Sequence, residues 1–264
     1  MPEATRDGVR LYYETEGDGE TVAFVPDAGL GAWSWGWQHR AVAGPYEALA
    51  WDLRGTGDSD APPGPYTVPQ LAADLEAVLA DHGAARAHLV GLGLGGMVAL
   101  RHALAYGRAA SLTLVGTAAS GDAVDRDALG AARAPLDDPA ALRESLSALL
   151  SPAFVADHPD VVDGIAAWRA DDDATAAGWE AQVAALDGFD ASDRLHEVTE
   201  PALVVHGGAD RVVPADAGRR LAEALPRGAF EGHEDAGHLV TVERSRPVND
   251  ALLEFLDDRA RDRS

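Results

Sequence analysis

Short apolar runs alternate with amphipathic stretches along most of the chain. The runs are bounded by turn residues, as strands of a buried sheet should be. The predicted strands are Val9–Thr15, Thr21–Val25, Tyr46–Asp52, a run from Ala87, Ser111–Val115, Ala202–His206 and Gly228–Gly232. Apolar residues at helical spacing fall between several of them, as in 68–81 and 215–225, and after the last one, in 246–258. This alternation predicts an α/β fold with a mostly parallel central sheet and helices on both faces.

Residues from about 117 to 197 depart from this alternation. Strand-like runs disappear there, and Ala, Asp and helical periodicity take over. We interpret the stretch as a helical cap inserted over the carboxyl ends of the strands, within one domain that spans 1–264.

One glycine-rich stretch divides a predicted strand from a predicted helix. The run from Ala87 breaks at Gly91, Gly93, Gly95 and Gly96 and resumes as a small-residue helical pattern. Glycines at such a break permit a positive φ and let a helix approach a strand closely. The stretch therefore predicts a strand, a tight turn and a closely packed helix.

The net charge of the chain disfavours two classes of binding partner. The chain has 44 acidic and 21 basic residues, a net charge of −23, and all its basic residues are arginine. Such a surface repels nucleic acid and anionic membranes, so neither is expected as a partner. Acidic residues spread along the whole chain favour a halophilic protein from an acidic proteome, because salt screens their mutual repulsion. Compositional drift in a GC-rich genome is the alternative.

The remaining composition is typical of a cytoplasmic protein. There is no cysteine, which excludes a disulfide-stapled fold. The start of the sequence lacks the charged and apolar regions of a signal peptide, and no apolar run reaches the length of a membrane span. The histidines share no ligand-like spacing, so no metal site and no cofactor are expected. The oligomeric state stays open.

Four motifs, in order, resemble those of the α/β-hydrolase superfamily. The stretch 52–59 is similar to its D-x-R-G-x-G-x-S loop, and 91–95 to the G-x-S-x-G elbow that carries the nucleophile. The stretch 201–210 resembles the strand and loop of the triad acid, and 236–238 the loop of the triad histidine. The resemblance covers the chain outside the cap and implies an α/β-hydrolase fold of the capped type.

The resemblance implies two catalytic residues, but the position of the third, the nucleophile, is a glycine. It implies that Asp210 is the triad acid and His238 the general base, with His233 as a positional rival. The nucleophile position is Gly93, which has no side chain with which to form a covalent intermediate. The amide of Leu94, just after it, is expected to face the substrate carbonyl. The triad is therefore degenerate.

The loop after the second strand also departs from the family. Many members have His-Gly where this chain has Pro26 and Asp27, and that loop supplies an oxyanion-hole N–H. Proline has no N–H, and a nearby carboxylate would oppose a developing oxyanion. Ala28 is expected to line the pocket, while Trp33 is either a pocket wall or a core residue. Arg54 is expected to brace its loop through backbone carbonyls.

Three functions are compatible with these residues. The first is a hydrolase of a small ester, lactone or thioester, in which the Asp210/His238 pair activates a water held in the space left at Gly93. The second is a general-base enzyme of another class, such as a lyase or a cofactor-free oxygenase, with Asp27 as a further acid-base group. The third is a pseudoenzyme that binds a small molecule beneath its cap.

Overall fold

The computed structural model describes residues 2–261, and eight strands form one sheet within them. The strands are β1 (Glu3–Arg6), β2 (Val9–Glu16), β3 (Thr21–Val25), β4 (Glu47–Trp51), β5 (Ala87–Leu92), β6 (Ala109–Val115), β7 (Ala202–Gly207) and β8 (Gly228–His233). Their spatial order is β1-β2-β4-β3-β5-β6-β7-β8. The pairs β1–β2 and β2–β4 are antiparallel, and every later pair is parallel.

Helices cover both faces of the sheet. They are α1 (Gly36–Val42), α2 (Val68–His82), α3 (Leu94–Ala105), α4 (Arg126–Ala131), α5 (Pro139–Ser145), α6 (Pro152–Asp157), α7 (Pro159–Asp172), α8 (Ala176–Val183), α9 (Ala215–Ala224), α10 (Val240–Glu243) and α11 (Ser245–Arg261). Short 3-10 turns are Ala32–Trp35, Gly121–Ala123, Leu146–Ala148, Ala184–Leu186 and Ser192–Glu197. Within residues 2–261, no helix is long and apolar enough to cross a membrane.

The predicted fold class is confirmed, and the starts of the seven predicted strands agree with β2 to β8 within two residues, as do the six ends that were predicted. The pattern missed β1, a four-residue edge strand whose alternation is too short to read. Trp33 lies on a 3-10 turn over Ala32–Trp35, and Trp37 lies on α1, which follows this turn directly.

The segment between β6 and β7 carries α4 to α8 and four of the five 3-10 turns. We call residues 117–197 the helical insertion, as an interpretation of this segment. It contacts the loop after β3, residues 26–31, through several hydrogen bonds. The insertion and that loop therefore form one packed unit at the carboxyl edge of the sheet.

The sheet reverses its winding direction between β3 and β5. Chain connections run from β3 outward to β4 on one side and from β5 outward to β6 on the other. Open α/β sheets place their ligand sites outside the strand ends at such a point. In this register Val25 of β3 pairs with Gly91 of β5. Asp27 and Gly93 each follow two residues later, which brings them to the same spot.

Close approach of α3 to the end of β3 depends on a missing side chain. A Cβ at Gly95 would overlap the backbone carbonyl oxygens of Val25 and Pro26. Only glycine lets the first turn of α3 lie against this chain segment. The position of the loop that carries Asp27 is thereby set by the helix that follows the elbow.

Arg54 is buried and bonds to a carboxylate, which corrects the expectation of backbone carbonyl partners. Its Nε and Nη2 donate to the two carboxylate oxygens of Asp74 on α2, both at 2.5 Å. This bidentate geometry is the strongest that an arginine makes with a carboxylate. The loop after β4 is therefore fastened to α2.

We expect Gly95→Ala to destabilise the protein by about 2 kcal/mol or more, because the added Cβ meets backbone that cannot move aside. The matched control is Gly164→Ala in α7, where a Cβ would meet no atom within 4 Å. That change should stabilise the fold by about 0.5–1 kcal/mol, since alanine loses less backbone entropy in a helix. Urea unfolding of both variants measures the difference, and equal effects would contradict the packing argument.

Candidate active site

The turn between β5 and α3 keeps a nucleophile-elbow backbone although its central residue is glycine. Gly93 has φ +53° and ψ −116°. Its N–H donates to the carbonyl of Val115, and its carbonyl accepts the hydroxyl of Thr117. A strained strand-to-helix turn of this kind is what presents a nucleophile at the edge of the sheet.

The space beside Gly93 is filled by the carboxylate of Asp27. A Cβ added at Gly93 would overlap the Cγ and both oxygens of that carboxylate, and the farthest atom, Oδ2, would be 2.6 Å away. An empty space that holds a water beside Gly93 was expected, and this expectation was wrong. Gly93 and Asp27 are thus sterically matched.

Asp27 bridges the elbow amide and the histidine. Its Oδ1 accepts the N–H of Leu94 at 2.6 Å, and its Oδ2 lies 3.0 Å from His238 Nε2. Leu94 begins α3, so the positive end of the helix dipole also favours the carboxylate. The amide expected to face a substrate carbonyl is occupied by this carboxylate.

Asp210 lies on the other side of the histidine. Its Oδ2 is 2.8 Å from His238 Nδ1, and its Oδ1 accepts the backbone N–H groups of Val212 and Val213. His206 is also buried, and its Nε2 donates to the carbonyl of Val213 while lying 3.3 Å from Asp210 Oδ2. The two residues predicted as acid and base are therefore brought together and fully enclosed.

Two flanking carboxylates set the charge of His238. Burial by itself lowers the pKa of His238, but the charges and hydrogen bonds of Asp210 and Asp27 outweigh it and raise the pKa well above its ordinary value. Burial likewise raises the pKa of Asp210, yet His238 and His206 hold it below its usual range. At neutral pH this arrangement favours an imidazolium that donates to a carboxylate on each side.

The helical insertion fixes the loop that carries Asp27. Asp173 Oδ1 accepts the N–H of Gly31 at 3.1 Å and the indole N–H of Trp33 at 2.7 Å. Gln182 Oε1 accepts the N–H of Gly29 at 2.7 Å. The N–H of Leu30 donates to the carbonyl of Asp27 and closes a β-turn. The third residue of this turn, Gly29, has a φ of +80°, which favours glycine. This turn and the insertion therefore together determine the orientation of the Asp27 side chain.

A cavity of about 20 Å³ lies beside Asp27. Its volume is close to that of one water molecule. Residues of the loop and of the insertion line it, namely Asp27, Ala28, Gly29, Leu30, Leu129, Ala132, Arg133, Ala134, Leu136, Leu149, Arg169, Asp173, Ala174 and Trp179. Ala28, which we expected to line a substrate pocket, borders this cavity. Trp33 is a buried core residue, which was one of the two expectations, and its edge also borders a groove with Trp37 and Trp168.

His233, the positional rival of His238, lies outside the line formed by Asp27, His238 and Asp210. His233 ends β8, and its Nε2 is 3.0 Å from Glu231 Oε1. The sequence predicted Asp27 as a disturbance of the oxyanion loop or as a further acid-base group, and did not predict that its carboxylate lies against Gly93. The available signal was the pair itself, a carboxylate at 27 and a glycine at 93.

Comparisons with known proteins agree with the fold. The Alpha/beta hydrolase family model matches residues 22–251. "Putative carbamate hydrolase RutD" of Variovorax paradoxus is 33% identical over 258 residues, covering 93% of this chain and 96% of the relative. The 2-hydroxy-6-oxononadienedioate/2-hydroxy-6-oxononatrienedioate hydrolase of Paraburkholderia phymatum is 32% identical over 94% of this chain and 91% of its own.

The solved structures include a similar lactonase. The enol-lactonase from Burkholderia xenovorans LB400 superposes with a TM-score of 0.85 at 26% identity, over 97% of this chain and 100% of that one. The family match, the curated relatives and this superposition each cover most of the chain. The chain belongs to the alpha/beta hydrolase family.

Proposed function

We propose that the protein is a hydrolase of a small, activated ester, lactone or thioester that works without a serine nucleophile. The observation that carries the proposal is the enclosed Asp210–His238 pair beside an elbow that keeps its strained backbone. In acyl hydrolysis, a buried imidazole oriented by a carboxylate acts as the general acid and base.

The names of similar proteins support this substrate class. One of them is an enol-lactonase, and a lactone is a cyclic ester. Enol leaving groups need less assistance than alkoxides, so an activated acyl compound suits a site that lacks a serine. An imidazolium can protonate the leaving group as it departs. We therefore assign proton transfer to His238 and its orientation to Asp210.

The other two functions have weaker support. A pseudoenzyme is favoured by the occupied Leu94 amide, because a substrate carbonyl has to displace Asp27 to reach it. Against a purely ligand-binding role, the Asp210–His238 pair keeps the arrangement that proton transfer needs and ligand binding does not. A general-base enzyme of another class needs a neutral imidazole, whereas the two carboxylates favour its charged form.

We expect the protein to hydrolyse short p-nitrophenyl esters or thioesters in molar salt, and His238→Ala to lower kcat by about 10²–10⁴-fold. Asp210→Asn should act in the same direction, because it removes the charge that orients and stabilises the imidazolium. Steady-state kinetics measures both losses, and His233→Ala is the matched control that should keep the wild-type rate.

A double variant separates a hydrolase from an inactive relative. Asp27→Gly with Gly93→Ser clears the elbow and places a serine where Asp27 now lies. If the wild-type protein is inert and only this variant hydrolyses esters, the proposed function is wrong. Equal rates for the wild-type protein and His238→Ala would also contradict it.

We expect His238 to remain cationic above pH 7, and Asp27→Asn to lower its pKa, because the variant removes one of two flanking charges. NMR of the histidine ring nitrogens between about pH 5 and 11 measures this, because the pKa of His238 is raised to about 10. Asp52→Asn, a buried carboxyl in another loop, is the control and should leave His238 unchanged. A wild-type midpoint near the ordinary value of about 6.5 would contradict the assignment.

The free energy of unfolding should depend on pH through the same charged groups. Because the folded-state pKa of His238 is raised, its contribution is complete below about pH 6.5 and is lost as the pH rises toward the folded value. Because the pKa of Asp210 is lowered, its contribution is present above about pH 4 and is lost as the pH falls further. The pair therefore stabilises the fold most between these limits.

A further inference from the structure

We propose that Asp27 is the nucleophile of this hydrolase, delivered to the elbow from the loop after β3 rather than from the elbow itself. The inference rests on the proposed function and adds the attacking atom to it. The carboxylate occupies the volume of an elbow side chain, and only the absence of a Cβ at Gly93 makes room for it.

The two oxygens of Asp27 have different surroundings. Oδ1 is held by the Leu94 amide at the start of α3, at 2.6 Å. Oδ2 lies 3.0 Å from His238 Nε2. The carboxylate also lines the small cavity beneath the insertion. One oxygen is thus anchored where negative charge is stabilised, while the other is next to the proton-transfer group and is the one assigned to attack.

The first step forms an acyl-enzyme anhydride. Asp27 Oδ2 bonds to the acyl carbon of the substrate, and the bond from that carbon to the leaving oxygen or sulfur breaks. The leaving group takes the proton on His238 Nε2. This step uses the imidazolium as an acid, which is the form that the flanking carboxylates favour.

The second step uses the histidine as a base. Once Asp27 is acylated its negative charge is gone, so one of the two groups that raise the pKa of His238 is removed. Neutral His238 then takes a proton from water as the water oxygen bonds to Cγ of Asp27. The charge that develops on Oδ1 is stabilised by the Leu94 amide. The bond from Cγ to Oδ2 breaks, and the acid leaves with Oδ2.

This assignment predicts that Asp27 exchanges its oxygen. After many turnovers of a p-nitrophenyl ester in water enriched in oxygen-18, the peptide that contains Asp27 should carry the heavy isotope. Peptides that contain Asp52 and Asp173, two other buried carboxyls, should remain unlabelled. Mass spectrometry of a proteolytic digest measures all three. Hydrolysis without label in Asp27 overturns the proposal.

The matched variant is Asp27→Asn, which keeps the shape and an oxygen for the Leu94 amide but is not a nucleophile. We expect kcat to fall on the order of 10³-fold or more, with the fold unchanged by circular dichroism. Recovery of ester hydrolysis by the Asp27→Gly and Gly93→Ser double variant shows that the frame is intact. A rate for Asp27→Asn within about tenfold of wild type overturns the assignment.

A small epoxide tests Asp27 independently of ester hydrolysis. Oδ2 should open the epoxide ring and form a hydroxyalkyl ester on Asp27, while the ring oxygen takes the proton of His238. Alkylation at Asp27 without any ester hydrolysis would remove the proposed substrate class and leave the nucleophile assignment standing. Absence of both alkylation and isotope label in a hydrolytically active protein would remove the nucleophile assignment alone.

Discussion

Asp27 and a side chain at position 93 cannot occupy the same volume, and the candidate site depends on this constraint. Any Cβ at Gly93 would overlap the carboxylate, and the carboxylate in its present place forbids any Cβ. The glycine at position 93 and the carboxylate of Asp27 therefore depend on each other sterically. A glycine here creates space, and the loop after β3 fills it with a charged group.

Filling that space with a carboxylate requires donors, because a buried charge without partners is very costly. The Leu94 amide and His238 supply them, and Asp210 completes a line of charges that alternate in sign. Two buried carboxylates around one imidazolium leave a single excess negative charge. The start of α3 and the backbone N–H groups of Val212 and Val213 offset it. The site is therefore compensated locally, independently of the strongly acidic surface.

The alternation of apolar runs was sufficient to predict the sheet, its parallel character and the edge at which the site lies. The motifs also placed Asp210 and His238 together. The position of the Asp27 carboxylate was beyond prediction, because it depends on the register that pairs Val25 with Gly91 and on the turn at Gly29. Arg54 is a similar case, since its partner Asp74 lies 20 residues away on a helix whose orientation the pattern does not define.

The same hydrogen bonds that direct Asp27 also hold the insertion against its loop. Gln182 and Asp173 hold the loop from the insertion side, and Trp179 lies directly over Gly29. The cavity left between them measures only about 20 Å³, so the loop and the insertion pack closely around Asp27. The insertion therefore contributes to the direction of the Asp27 carboxylate, because it fixes the loop that carries this residue.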